Sequence, residues 1–168
     1  PPLFAFFMPY GDLLEMIKPG EVLQDPSALR ETLEKAKERA AVKKRNSRSV
    51  RFEDLPFEEA LAKAEEAEQP ICIYFTADRC QACLLLEKNV LNLDEVADYY
   101  NDHFVNLRVN TSRTQELARR YGIKQCPAFL FLNAKGKVIY QDEGAETKEQ
   151  LLDNAALALK KAGGISFQ

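Results

Sequence analysis

From Ser49 onward the chain alternates short apolar runs with stretches of helical period, the pattern of a sheet covered by helices on both faces. Ile71-Cys72-Ile73-Tyr74-Phe75 is a continuous apolar run between Gln69-Pro70 and Asp78, which predicts a buried central strand. Val105, Leu107 and Val109 alternate along a second strand, and Ala128 to Leu132 form a third apolar run. Asn133-Ala134-Lys135-Gly136 then turns the chain into Val138-Ile139-Tyr140, a hairpin. Val50-Arg51-Phe52 reads as a further short strand.

Helices are predicted between these runs. Pro56 opens one with Phe57, Leu61 and Ala64 on one face; a second begins at Cys80 and continues through Leu84, Leu85 and Leu86; a third follows Asn92 and carries Val96, Tyr99 and Tyr100. Gln115 to Tyr121 is short and closed by Gly122, with Ile123 placed for the apolar contact that follows a left-handed glycine cap. Thr147 with Gln150 forms a capping box for a last helix, which buries Leu151, Ala155, Ala158 and Leu159 and ends at Gly163-Gly164.

Residues 1–49 differ in character and are read as an arm and helical extension beside a domain over 50–168. The apolar stretch Leu3 to Met8 is too short to span a membrane and reads as the remnant of a signal or anchor, or as a packed arm. Lys18-Pro19-Gly20 breaks the chain, and Asp25-Pro26 starts a helix running to about Arg45. Its narrow apolar side, Leu29, Leu33, Ala36 and Ala40, packs in cis or mediates self-association with another chain. A chain opening on Pro1 is expected to be processed or cut from a longer one.

Composition narrows the function. With 46% hydrophobic and 29% charged residues, the 168-residue chain reads as a globular protein without an integral membrane span. A net charge of -3 gives no basis for nucleic-acid binding, which needs a concentrated basic surface. The cluster Lys43, Lys44, Arg45, Arg48 and Arg51 reads as a solvated helix end whose cations suit the helix dipole.

Four cysteines are too few for a disulfide scaffold, yet Cys80-Gln81-Ala82-Cys83 has redox spacing. Disulfide exchange needs a thiolate to attack a sulfur and a second thiol close enough to resolve the mixed disulfide. Two intervening residues on a first helical turn supply both. Cys80, at the exposed helix start where backbone amides and the dipole favour a thiolate, is assigned as nucleophile, and Cys83, one turn in, as resolving thiol. Structural zinc uses the same spacing but needs four ligands, and Cys72, Cys126 and His103 do not form a second pair. No metal or organic cofactor is therefore expected for the exchange. Cys72 reads as core, and His103 as a surface or packing residue.

With Tyr121-Gly122-Ile123, Cys126-Pro127-Ala128-Phe129-Leu130-Phe131-Leu132 and Lys135-Gly136-Lys137-Val138 following the C-x-x-C in order, the chain from about Val50 to Ala162 resembles the thioredoxin superfamily. The segment Glu87 to Val109 is similar to the bacterial branch related to periplasmic thiol-disulfide interchange domains. The resemblance implies a thioredoxin fold, a central mixed sheet flanked by helices, here with an N-terminal helical extension. It also implies a thiol-disulfide oxidoreductase, with reduction as the direction, acting on protein thiol or disulfide substrates with a redox partner protein. An exported, periplasmic location goes with it; a cytoplasmic one is the alternative.

By the same resemblance Pro127 is cis and shapes a substrate groove with Cys126, and Gly144 lies near that groove. Three departures stand out. Arg79 replaces the aromatic residue usual before the first cysteine, where its cation favours the thiolate and Asp78 partly opposes it. Tyr74 stands where the family often carries a buried acid that assists the resolving cysteine, leaving proton transfer at Cys83 to water, and Arg108 matches a lysine that accompanies that acid. Cys126 is either a small buried hydrophobe or a third thiol beside Cys80 and Cys83. That third thiol supports a rival function, a binding module holding a soft ion such as Cu(I) or zinc.

Overall fold

The structure, a computed structural model, describes residues 4–7, 13–17, 27–45 and 48–163, with side chains over 27–41 and 48–163. Two compact units divide the chain, Pro1–Ser47 and Arg48–Gln168.

In the first unit, β1 (Phe4–Phe7) pairs antiparallel with β2 (Leu13–Ile17), Phe4 opposite Ile17. The apolar arm is thus half of a hairpin, which its reading as a signal or anchor remnant or a packed arm did not foresee. Helix α1 (Ser27–Arg45) lies against β2 and buries Ala36, leaving Leu33 37% exposed; Lys35 pairs with Glu31 at 2.7 Å along its surface. The breaks expected at Lys18-Pro19-Gly20 and Asp25-Pro26, the side chains of Lys43, Lys44 and Arg45, and Gly164 lie outside the described residues.

The second unit holds a four-stranded sheet of β3 (Ile71–Thr76), β4 (Val105–Asn110), β5 (Ala128–Leu132) and β6 (Val138–Glu143) in the order β4-β3-β5-β6. The sheet is mixed: β3 runs parallel to β4 and antiparallel to β5, which pairs antiparallel with β6. Helices α2 (Phe57–Ala67) and α5 (Glu116–Tyr121) pack on one face, and α3 (Gln81–Asn89), α4 (Asp94–His103) and α6 (Lys148–Gly163) on the other.

Local signals act as their chemistry requires. Gly122 takes φ 68°, and Ile123 N–H donates to the Ala118 carbonyl at 2.8 Å, closing α5. Thr147 and Gln150 exchange reciprocal bonds of 2.8 and 3.2 Å at the start of α6.

Val50-Arg51-Phe52 is not a strand, contrary to the alternation. Its backbone donors go elsewhere: Val50 N–H to the Leu91 carbonyl at 2.9 Å and Arg51 N–H to Asn101 Oδ1 at 2.8 Å. Only Glu53 makes a parallel bridge, to Leu107. Arg48, read as part of a solvated cationic cluster, holds Asp98 at 2.7 Å.

Candidate active site

The chain leaves β3 at Thr76, turns through Ala77, Asp78 and Arg79, and enters α3 with Cys80 as N-cap. The turn is pinned to the loop after β4: Asp78 N–H donates to Ser112 Oγ at 3.0 Å, and Asn110 Nδ2 donates to Asp78 Oδ1 at 2.8 Å. Asp78 is therefore tied to Asn110. Arg79, exposed, adopts φ 59°, the left-handed region that a side chain enters at a cost of about 1 kcal/mol.

Cys80 and Cys83 are joined as a disulfide, with Cα atoms 5.2 Å apart. Their environments differ. Cys80 is half-buried, and its sulfur accepts the Cys83 N–H at 3.1 Å, while Cys83 is only 2% exposed. The amide that caps the helix is the one that would stabilise negative charge on Cys80 after reduction.

Across from this pair, the Cys126–Pro127 peptide is cis and Pro127 is buried. Three hydrogen bonds hold that turn. Gly144, at φ 116°, donates its N–H to the Pro127 carbonyl at 2.8 Å, and Glu143 Oε2 accepts from Lys124 and Gln125 N–H, both at 3.1 Å. Positive φ suits glycine at 144, where a side chain would be strained.

A cleft of about 520 Å³ opens beside Cys80, with Cys126, Thr111, Gln115, Arg119 and Ile123 in its wall. Cys126 is half-buried and its sulfur lies 3.5 Å from Thr111 Oγ1. The fold thus brings Cys80, Cys83, Cys126 and Pro127 to one end of the sheet, with the exposed Arg79 next to Cys80 in the chain. Among the described residues no group of three or more His, Cys, Asp or Glu is placed to hold a metal ion, and in this oxidised form Cys80 and Cys83 are bonded to each other.

The remaining candidates separate cleanly. Cys72 is buried in β3, where loss of solvation pushes its thiol well above the ordinary range, so it acts as a hydrophobe. His103 stacks on Tyr99 with ring centroids 4.7 Å apart at the end of α4, and Arg108 lies over the Phe52 ring at 5.8 Å. Tyr74, at the position of the expected acid, donates its hydroxyl to Glu87 Oε1 at 3.2 Å. Glu87 and Thr111 belong to no motif; the four-residue spacing of Glu87 from Cys83 is the one sequence signal that points to either.

A model of the thioredoxin-like domain matches residues 57–157. Thioredoxin Y of rice chloroplasts (Oryza sativa subsp. japonica) is 30% identical over 98 residues, 58% of this chain and 56% of its own length. The chain spans about half the length, or less, of the first curated relatives it matches, 40% for the thioredoxin-like protein HCF164 of Arabidopsis thaliana. Among solved structures, a candidate disulphide-isomerase from Bacteroides thetaiotaomicron is 35% identical with a TM-score of 0.60, covering 67% of this chain and 95% of its own. A thioredoxin from Thermus thermophilus is 28% identical with a TM-score of 0.61, covering 68% and 91%. With the matched segment containing the helix-capping disulfide, this chain belongs to the thioredoxin-like domain family.

Proposed function

We propose that this protein reduces disulfides in other proteins through a mixed disulfide on Cys80. The observation that carries the reading is the asymmetry of the pair: Cys80 half-buried at the cleft with a backbone amide on its sulfur, Cys83 enclosed one turn behind. The Cys80 thiolate attacks a substrate sulfur, the substrate S–S bond breaks, and one substrate sulfur leaves and takes up a proton. Cys83 then attacks Cys80, releasing the second substrate sulfur and leaving the Cys80–Cys83 disulfide. Two electrons have passed to the substrate, and a dithiol partner protein returns them.

Arg79, Cys126 and Pro127 bind the substrate in this reading. The Arg79 cation favours the thiolate, while Cys126 and Pro127 offer backbone to an extended peptide along the cleft. Reduction, rather than isomerisation, is supported by a relative named a disulfide bond reductase, DsbH of Chlamydia pneumoniae, 26% identical over 93 residues. An exported location, periplasmic for a bacterial chain, and a working domain starting near residue 50 complete the proposal. So does self-association through α1, which a fragment beginning at Ser47 would overturn by keeping the oligomeric mass of the full chain. Among the described residues no helix is long and apolar enough to cross a membrane.

The test is the redox equilibrium of Cys80 and Cys83 against a glutathione series, run with insulin reduction. A two-electron couple of about -250 mV or lower, with turnover lost in Cys80→Ser, is expected. No turnover by the unmodified chain overturns the reading, and a potential of about -120 mV reverses its direction.

A further inference from the structure

Resolving a mixed disulfide requires Cys83 to lose a proton in a place where burial makes ionisation costly: it is only 2% exposed. Glu87 follows it by four residues on α3, so the two side chains are neighbours on one helix face, with Cβ atoms about 5–6 Å apart. Helical side chains lean toward the helix N-terminus, which carries the Glu87 carboxylate back over the Cys83 turn.

Tyr74 keeps it there. Its hydroxyl donates to Glu87 Oε1 at 3.2 Å, and its buried ring stacks on Phe129 at 5.1 Å between centroids, with Phe52 at 5.7 Å. Burial raises the Tyr74 hydroxyl well above its ordinary range, so it remains a donor wherever the enzyme works. Glu87 itself is half-buried and can pass a proton on to solvent.

We propose that Glu87, held by Tyr74 as positioning residue, is the proton acceptor for Cys83 in the resolving step; the inference rests on the disulfide-exchange reading above. The Cys83 S–H bond breaks and its proton passes to the Glu87 carboxylate, directly or over one water. The electron pair left on Cys83 forms the bond to the Cys80 sulfur, the bond from Cys80 to the substrate sulfur breaks, and the substrate leaves as a thiolate. The dithiol is oxidised, the substrate disulfide is reduced, and Glu87 returns its proton to solvent.

The test mixes the reduced full chain with glutathione disulfide, quenches with acid at intervals, and follows glutathionylated Cys80 and the Cys80–Cys83 product by mass spectrometry. In Glu87→Gln the mixed disulfide is expected to accumulate and resolve about tenfold or more slowly at about pH 7, while its formation changes by less than about twofold. The deficit should shrink as pH rises and hydroxide increasingly ionises the thiol without help, whereas a merely misplaced Cys83 stays slow at every pH. Glu87→Asp should restore part of the rate. Tyr74→Phe, which keeps the ring stack, should slow resolution by about threefold or more with the same pH dependence. Equal resolution rates and pH profiles in the unmodified chain and Glu87→Gln overturn the inference alone. Failure of the unmodified chain to form either species overturns the functional reading and the inference with it.

Discussion

Ile71, Ile73 and Phe75 leave β3 on the face covered by α2 and α5, while Cys72 and Tyr74 leave it on the face covered by α3, α4 and α6. The neighbouring strand divides the same way, Ala128, Leu130 and Leu132 to the first face, Phe129 and Phe131 to the second. Buried residues of the first face are all hydrocarbon: alanine, valine, leucine, isoleucine and one phenylalanine. The second encloses a thiol at Cys72 and two phenols at Tyr74 and Tyr100, with the Glu146 carboxyl buried near Cys72 and Tyr100. A single period-two alternation therefore gives one sheet an inert side and a titratable side. Helix α3, which begins at the redox cysteine, packs on the titratable side through Leu86. Stability on the first face should be indifferent to pH, and stability on the second should not.

The largest expected effect is on the inert side. Leu130 is fully buried in β5, and Leu130→Ala should cost about 4 kcal/mol, from lost transfer energy and the cavity left behind. Denaturant unfolding at several pH values should show the same loss throughout, because no buried residue of that cluster changes charge. A loss that varied with pH would break the comparison at its simpler end.

Next comes Glu146, 8% exposed, whose Oε2 accepts from Asn154 at 2.7 Å while Oε1 has no hydrogen-bond partner. Asn154 also donates to Asp142 at 3.0 Å, so two carboxyls share one amide. Burial, with Asp142 adding, pushes Glu146 up to about 7 from an ordinary value of 4.5. The unfolded chain releases this proton first, so the native state binds more protons between those values and its stability falls as pH rises through them. Below them the group contributes nothing; above them it destabilises by up to about 3 kcal/mol. Glu146→Gln should remove that part of the slope, seen as the difference between the two proteins' unfolding free energies from acid to neutral pH. Parallel curves would mean that Glu146 ionises as freely in the fold as outside it.

Much of this division is legible in the chain. The apolar runs at 71–75 and 128–132 announce buried strands, and their alternation assigns the faces. The helix start at Cys80, the cap at Gly122 and the box at Thr147 are read from a few neighbouring residues, because the bonds that make them are local. What escapes is settled by side chains far apart in sequence. Asn101 and Leu91 take the donors that would have made Val50 to Phe52 a strand. Tyr74 reads as the loss of an acid until its hydroxyl is found on Glu87, thirteen residues away. Glu146, in an exposed-looking Gly-Ala-Glu-Thr loop, gives no sign that packing will enclose it. The hairpin at Phe4–Ile17 escapes for a different reason, since an apolar run of this length suits an arm as well as a strand.

The smallest effect concerns Tyr100, which links α4 to α6 by donating its buried hydroxyl to the Leu151 carbonyl at 2.8 Å. Tyr100→Phe keeps the ring contacts with Phe104 and Phe131 and removes only that bond. Leu151 still accepts within its own helix, so the cost should be about 1 kcal/mol rather than the larger penalty of a stranded buried carbonyl. Burial, followed by the nearby Cys72 and Glu146, holds the Tyr100 phenol well above its ordinary range. It therefore stays protonated while Glu146 titrates, and Tyr100→Phe should lower the unfolding curve without altering its slope. Combined with Glu146→Gln, the two losses should add to within about 0.5 kcal/mol at each pH. Non-additivity confined to the range where Glu146 ionises would show instead that the phenol and the carboxyl act as one unit. The titratable face would then be a single coupled network rather than a set of separately buried groups.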